Sequence, residues 1–408
     1  MNFLRSFFRF LKRFFLVLAV LILAVVIVYF VAPSYVKDTV VSWLYPTVTI
    51  KEEHLNQVSV EVPRVYELMY IACTLTETFQ ADDNLIGSRT PHYLAEVKAH
   101  FGPLEDHPLV KTLEARLKDN AYSQLQPAIR LFSMNYALQS DNTLLPDEVF
   151  HVNPLLLKLF KSQIFNFPDH QEIIEDFARA SGFYQFYDRH LTDYQRLYTQ
   201  YNRLCELQTM WKWIEQRCPA RYHSYRVIFS PLTGGFHNTI PGLKDPETDY
   251  MQTWMFVSPP PTKPLDSLSA EELEVLRSKV EREVFTEIDH NYVNPISDSY
   301  QDAIAQAMPD FREWNGKESS YGSSQATFNE YMTWGVFSLY ATETYSADQV
   351  DTILAIQEDF MVNSRKFFRF QEFNQELIRQ YEIHKQTSDQ VALEALYPGM
   401  LQWMEEQT

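Results

Sequence analysis

Between Phe14 and Ala32 no charged residue interrupts the apolar positions, and the run is long enough to cross a bilayer at about 1.5 Å per residue. From Pro63 to about His223 the apolar period becomes helical. Val65, Leu68, Met69 and Cys73 form one such face, Leu94, Val97 and Phe101 another, and Leu109, Leu113 and Leu117 a third. Phe183, Tyr187, Tyr194, Tyr198, Tyr201 and Cys205 continue the spacing as an aromatic stripe, which reads as core packing before it reads as a ligand platform. At Ser224 the pattern changes again. Tyr225–Phe229 and Tyr250–Val257 are rich in β-formers, and Thr47–Ile50 hints at a short strand. With Pro231–Asn238 as turn residues, the two longer runs are expected to pair as a hairpin or meander.

Pro259, Pro260, Pro261 and Pro264 read as a stiff connector. Ser269 and Glu272 then make a capping box, opening a helix expected over Ala270–Asn291 and ended by Pro295. Further helices are expected at Gln325–Tyr340, at Ala347–Asn363 and on to about Lys385, with a turn at Pro398-Gly399. The pattern therefore gives an α+β, predominantly helical chain. Its expected parts are a basic stub and membrane anchor (1–32), a juxtamembrane connector (33–62), a helical domain (63–223), a region with a small sheet and two site-bearing helices (224–345), and a C-terminal helical region (346–408).

Charge adds a direction to the apolar run. Arg5, Arg9, Lys12 and Arg13 precede it and no acid does, so an uncleaved signal anchor is expected, with the N-terminus inside and the body in the periplasm or outside the cell. A cleaved signal peptide would have a shorter apolar stretch and a better small-residue site than Phe30-Val31-Ala32. The whole chain carries a net charge of −18, and the part after the run is more acidic still, which argues against a nucleic-acid partner. Cys73, Cys205 and Cys218 have no metal spacing. If one helix joined Cys205 to Cys218, the two would lie too far apart to bond.

The chemistry of interest lies in V-E-R-E-V-F-T-E-I-D-H-N-Y-V-N-P, Val280 to Pro295. Glu287 and His290 are three apart, neighbours on a helix surface. A zinc peptidase helix reads H-E-x-x-H, with two imidazole ligands one turn apart and the glutamate as general base. Here Thr286 stands where the first histidine would be. Glu330, on the following helix, is a candidate third ligand, but Thr327-x-x-Glu330 is equally a capping-box pattern. Glu287 and His290 also have a plain reading as an exposed, mutually hydrogen-bonded pair. His237, beside Gly234 and Gly235, either lines a cleft or is an ordinary turn histidine, and His107 has no evident partner.

Four stretches carry a resemblance: H-F-G-P-L-E-D-H-P-L-V-K (His100–Lys111), F-A-R-A-S-G-F-Y-Q-F-Y (Phe177–Tyr187), S-P-L-T-G-G-F-H-N (Ser230–Asn238) and H-N-Y-V-N-P (His290–Pro295). In this order they resemble a bacterial family of exported zincin-like proteins, catalogued as a domain of unknown function and grouped with gluzincin-type metallopeptidases. The resemblance implies a helical N-terminal region, a small sheet, an active helix and a glutamate helix. It implies Zn2+ as cofactor, Glu287 as general base, and His290 and Glu330 as ligands, with a peptide or protein as substrate. Thr286 departs from it, since a hydroxyl is a poor zinc ligand. Asp289, Glu287 itself or His237 would then have to substitute, or the metal is lost. Three functions stay open: a membrane-anchored metallopeptidase-type hydrolase, a catalytically inactive relative that binds a peptide or envelope partner in the old cleft, and a purely structural membrane-anchored helical module.

Overall fold

The structure is a computed structural model, and it describes residues 46–118, 129–147, 150–151, 165–316 and 321–407. The expected membrane anchor, Phe14–Ala32, lies outside the described residues; within them no helix is long and apolar enough to cross a membrane. The chain is α+β with one small mixed sheet.

Strands β1 (Thr47–Val48) and β2 (Gln57–Glu61) precede the first helices. These are α1 (Arg64–Thr74), α2 (Pro91–Phe101) and α3 (Pro108–Leu117). A small hairpin, β3 (Tyr136–Leu138) with β4 (Leu144–Pro146), and the short β5 (Phe150–His151) follow. Next come α4 (Phe167–Ser181), α5 (Phe183–Arg189), α6 (Leu191–Leu204) and α7 (Leu207–Glu215). The expected aromatic stripe is core: Phe183, Tyr187, Tyr194 and Tyr201 are all buried. Cys205 and Cys218 do not share a helix, because the chain breaks after Leu204 and again after Glu215; both thiols are buried and free.

The sheet is completed by β6 (Ser224–Ile228), β7 (Asn238–Lys244) and β8 (Met251–Phe256), in the order β2-β6-β8-β7-β1-β5. The pattern-based hairpin is corrected here. β6 runs parallel to β8, Ser224 opposite Gln252 and Ile228 opposite Phe256, and the antiparallel partner of β8 is β7. β7 contains Pro241-Gly242, which reads as a turn. A register shift between Ile240 and Leu243, with Gly242 at φ +57°, absorbs the pair as a bulge. β2, placed by pattern in a connector, pairs in parallel with β6 over its full length, so residues before Pro63 belong to the sheet.

Beneath the sheet runs α8 (Ala270–Ser299), opened by the expected Ser269/Glu272 capping box. It passes straight through Pro295. Proline has no N–H to give the carbonyl four residues earlier. That carbonyl, Asn291 O, instead accepts a hydrogen bond of 3.0 Å from the Tyr222 hydroxyl. α9 (Gln301–Ala307) leads to α10 (Ser324–Thr344), buried on nearly every side from Thr327 to Ala341. α11 (Ala347–Asp359), a π-helical turn (Phe360–Ser364), α12 (Phe370–Lys385) and α13 (Tyr397–Glu406) complete the chain. Pro398-Gly399 is the first turn of α13, where a proline is tolerated, and not a break. Gly335 lets α12 approach α10, since a Cβ there would fall 2.5 Å from Leu377 Cδ2.

Candidate functional site between two antiparallel helices

α8 and α10 cross-pack in opposite directions. Glu281 accepts a hydrogen bond from the Tyr345 hydroxyl, Phe285 meets Phe337 and Tyr340, and His290 meets Glu330. Arg282, Thr286 and His290 recur at four-residue spacing and so fall on one stripe of α8. Glu330 stands in the second turn of α10. The helix is capped by Ser323, whose hydroxyl accepts from Ala326 N, so the capping-box reading of Thr327 and Glu330 is overturned. Glu330 Oε1 lies 3.4 Å from His290 Nε2, and Glu330 Oε2 lies 2.8 Å from Arg365 Nη1. Arg365, which follows the π-helical turn, also donates to the Tyr321 hydroxyl at 2.6 Å. No motif or period singles out Arg365 in the sequence; its only signal is a cation among aromatic residues in S-R-K-F-F-R-F.

The remaining expected site residues separate. Thr286 donates its hydroxyl to the Arg282 carbonyl at 3.0 Å, the usual resting place of a threonine inside a helix. Asp289 is fully buried, and its carboxyl oxygens have no hydrogen bond among the described residues. Burial holds that carboxyl well above the usual carboxylate range, and the Glu287 and Glu330 carboxyls add to the rise. His237 Nε2 lies 2.7 Å from the Ser258 hydroxyl, which itself donates to the Gly234 carbonyl. Nε2 therefore carries the proton, and burial pulls the ring down to about 4, leaving it neutral. The paired glycines do serve close approach, but between loops: a Cβ on Gly234 would sit 2.3 Å from Asp83 O. His107 has partners after all. It caps α3 by accepting from Leu109 N, and it lies 3.2 Å from Asp176.

Glu287 and His290 are not the exposed pair of the plain reading. Glu287 is only 8 % exposed, and no hydrogen bond reaches its carboxyl among the described residues. Burial pushes it up to about 7, with His290, Arg130 and Arg365 opposing and Glu330 adding to the rise. Near it the positive charges outnumber their partners. Arg89 is held by Glu283 at 2.8 and 2.5 Å, and Arg365 by Glu330. Arg130, fully buried between Phe236 and Phe256, donates one N–H to Phe236 O, and its Nε and Nη1 have no partner among the described residues. Arg282 has no ion pair among the described residues.

Does this donor set suit a catalytic zinc? The separation of His290 from Glu330 does. Two ligands at about 2.0–2.1 Å from a tetrahedral ion stand about 3.3–3.4 Å apart, and the observed value is 3.4 Å. The rest does not. Among the described residues no group of three histidine, cysteine or acidic side chains converges. The first-ligand position is a threonine turned to its own backbone, and Arg365 already neutralises Glu330 with a cation that would repel a second one. A cavity of about 470 Å³ bounded by Lys51, Ser59, Arg64 and Tyr136 lies elsewhere and includes none of these residues.

Comparisons of the chain with protein-family models, curated proteins and solved structures return no match.

Proposed function

We propose that this chain is a membrane-anchored zincin-like protein whose cleft, between α8 and α10, binds a peptide or envelope partner without hydrolysing it. The observation that carries the reading is the Arg365–Glu330 pair at 2.8 Å. A guanidinium supplies beside the would-be third ligand the positive charge that a metal would bring, and it offers no Lewis-acidic site and no bound water to activate. His290, Glu287 and Glu330 then act as a polar floor, with donors and acceptors spaced for a peptide backbone. With its carboxyl near 7, Glu287 is about half protonated at neutral pH and can both give and take a hydrogen bond.

The hydrolase reading retains one favourable observation, the 3.4 Å separation of His290 and Glu330. Metal analysis of the full chain in detergent decides between the two. The wild-type protein is expected to hold no stoichiometric zinc, and a Thr286→His, Arg365→Met double variant to gain about one ion by restoring the imidazole and removing the competing cation. One zinc per wild-type chain, lost in His290→Ala and accompanied by peptide cleavage, would overturn the binding-only reading.

A further inference from the structure

Arg282 is a buried charge that the packing of the described residues does not pair. It is only 7 % exposed, yet among the described residues its guanidinium has neither a hydrogen bond nor an ion pair, and its Nε is enclosed without a partner. An arginine in that state is costly, because burial penalises its charge and, among the described residues, only Glu283, already paired with Arg89, opposes that penalty. Two aromatic rings offset part of that cost, and a second cation adds to it. The Arg282 guanidinium carbon lies 5.1 Å from the Trp334 ring centre and 5.0 Å from that of Phe360, and Arg365 approaches the same Trp334 ring at 4.8 Å. Of the two acids beside it in sequence, Glu283 is engaged by both prongs of Arg89, and Glu281 by Arg277 and the Tyr345 hydroxyl. Two cations thus share one indole, and one of them, Arg365, is paired with Glu330.

We infer that Arg282 and Arg365, with Trp334 as a backing plate and Phe360 as a rim, form a carboxylate-recognition subsite that takes the free C-terminal carboxylate of a bound peptide. The inference rests on the binding cleft proposed above and deepens it. The flat two-pronged donor of arginine matches a carboxylate, and one additional negative charge brings the group to balance. A phosphate would bring a second negative charge beside Glu330 and Glu283, so the singly charged group is the better fit. Phe360 is among the few large apolar side chains left exposed, at 36 %, and marks the open side of the subsite. From Arg282 the stripe runs along α8 through Thr286 to His290, which lies 3.4 Å from Glu330.

The test is equilibrium dialysis of the full chain in detergent against a pool of N-acetylated tetrapeptides with free C-termini, and against the same pool amidated. Free acids are expected to be retained about tenfold to a hundredfold more strongly than amides. Arg282→Met should abolish that preference while raising the melting temperature of the ligand-free protein, whereas an arginine with a merely structural role would lower it when replaced. Arg282→Lys, which keeps the charge without the fork, should recover only part of the preference. Equal retention of acids and amides in the wild type would sink the subsite and leave the cleft standing; retention of neither would sink the cleft as well. Inorganic phosphate displacing the free acids better than acetate at equal concentration would overturn the carboxylate assignment.

Discussion

Glu67, in α1, is a carboxyl with no exposure at all. Tyr93 donates to its Oε1 at 2.7 Å, and the Tyr93 and Tyr194 hydroxyls lie 2.7 Å apart, so a short relay of phenols ends on this acid. Burial pushes the carboxyl up to about 7 against the ordinary 4.5. The folded protein therefore binds this proton more tightly than the unfolded chain does. The stability that follows is complete below about 4.5 and is lost as the pH rises through 7, by roughly 3 kcal/mol. Urea unfolding between pH 5 and 8 should record that decline together with the one from Glu287, and Glu67→Gln, which still accepts from Tyr93, should lessen it and be the more stable protein at pH 8. A variant with an unchanged pH slope would mean that the decline originates elsewhere.

On the scale of elements, the long helix α8 depends on a residue outside it. Tyr222→Phe removes one oxygen and leaves the Asn291 carbonyl, released by Pro295, without its donor. The expected loss is about 1–3 kcal/mol in equilibrium unfolding, and amide exchange should quicken first between Asn291 and Ser299. This helix also marks what the amino-acid order discloses. Its start was legible, because a capping box is a local matter of a hydroxyl and an acid three residues apart. Its end was not, because the hydrogen bond that carries it past a proline comes from Tyr222, far away in sequence. The same division runs through the sheet and the site. β7 was hidden by Pro241-Gly242, whose cost a bulge absorbs, and the parallel partner of β6 lay in a stretch read as linker. His290 and Glu330 were legible as a pair from helical spacing on successive helices. Arg365 was not, since it reaches Glu330 only through the packing of the segment after α11.

For the whole molecule, the burial of one continuous core leaves little room for the independent parts expected from pattern alone. β2 contributes five register pairs to β6, and Val62 N and O are bound by the Tyr198 and Tyr187 hydroxyls. A fragment beginning at Ser34 should unfold in one cooperative transition by calorimetry. One beginning at Pro63 should lack that transition and associate through the bared edge of β6. Equal behaviour of the two would mean that β2 is dispensable. The early entry of the chain into the sheet has a mechanical corollary. With Phe14–Ala32 as the proposed anchor, residues 33–46 can extend no more than about 50 Å before Thr47 is fixed. A ligand tethered to the same surface would thus meet the groove within a thin shell above the lipid, where local concentration and not tight contact can set occupancy.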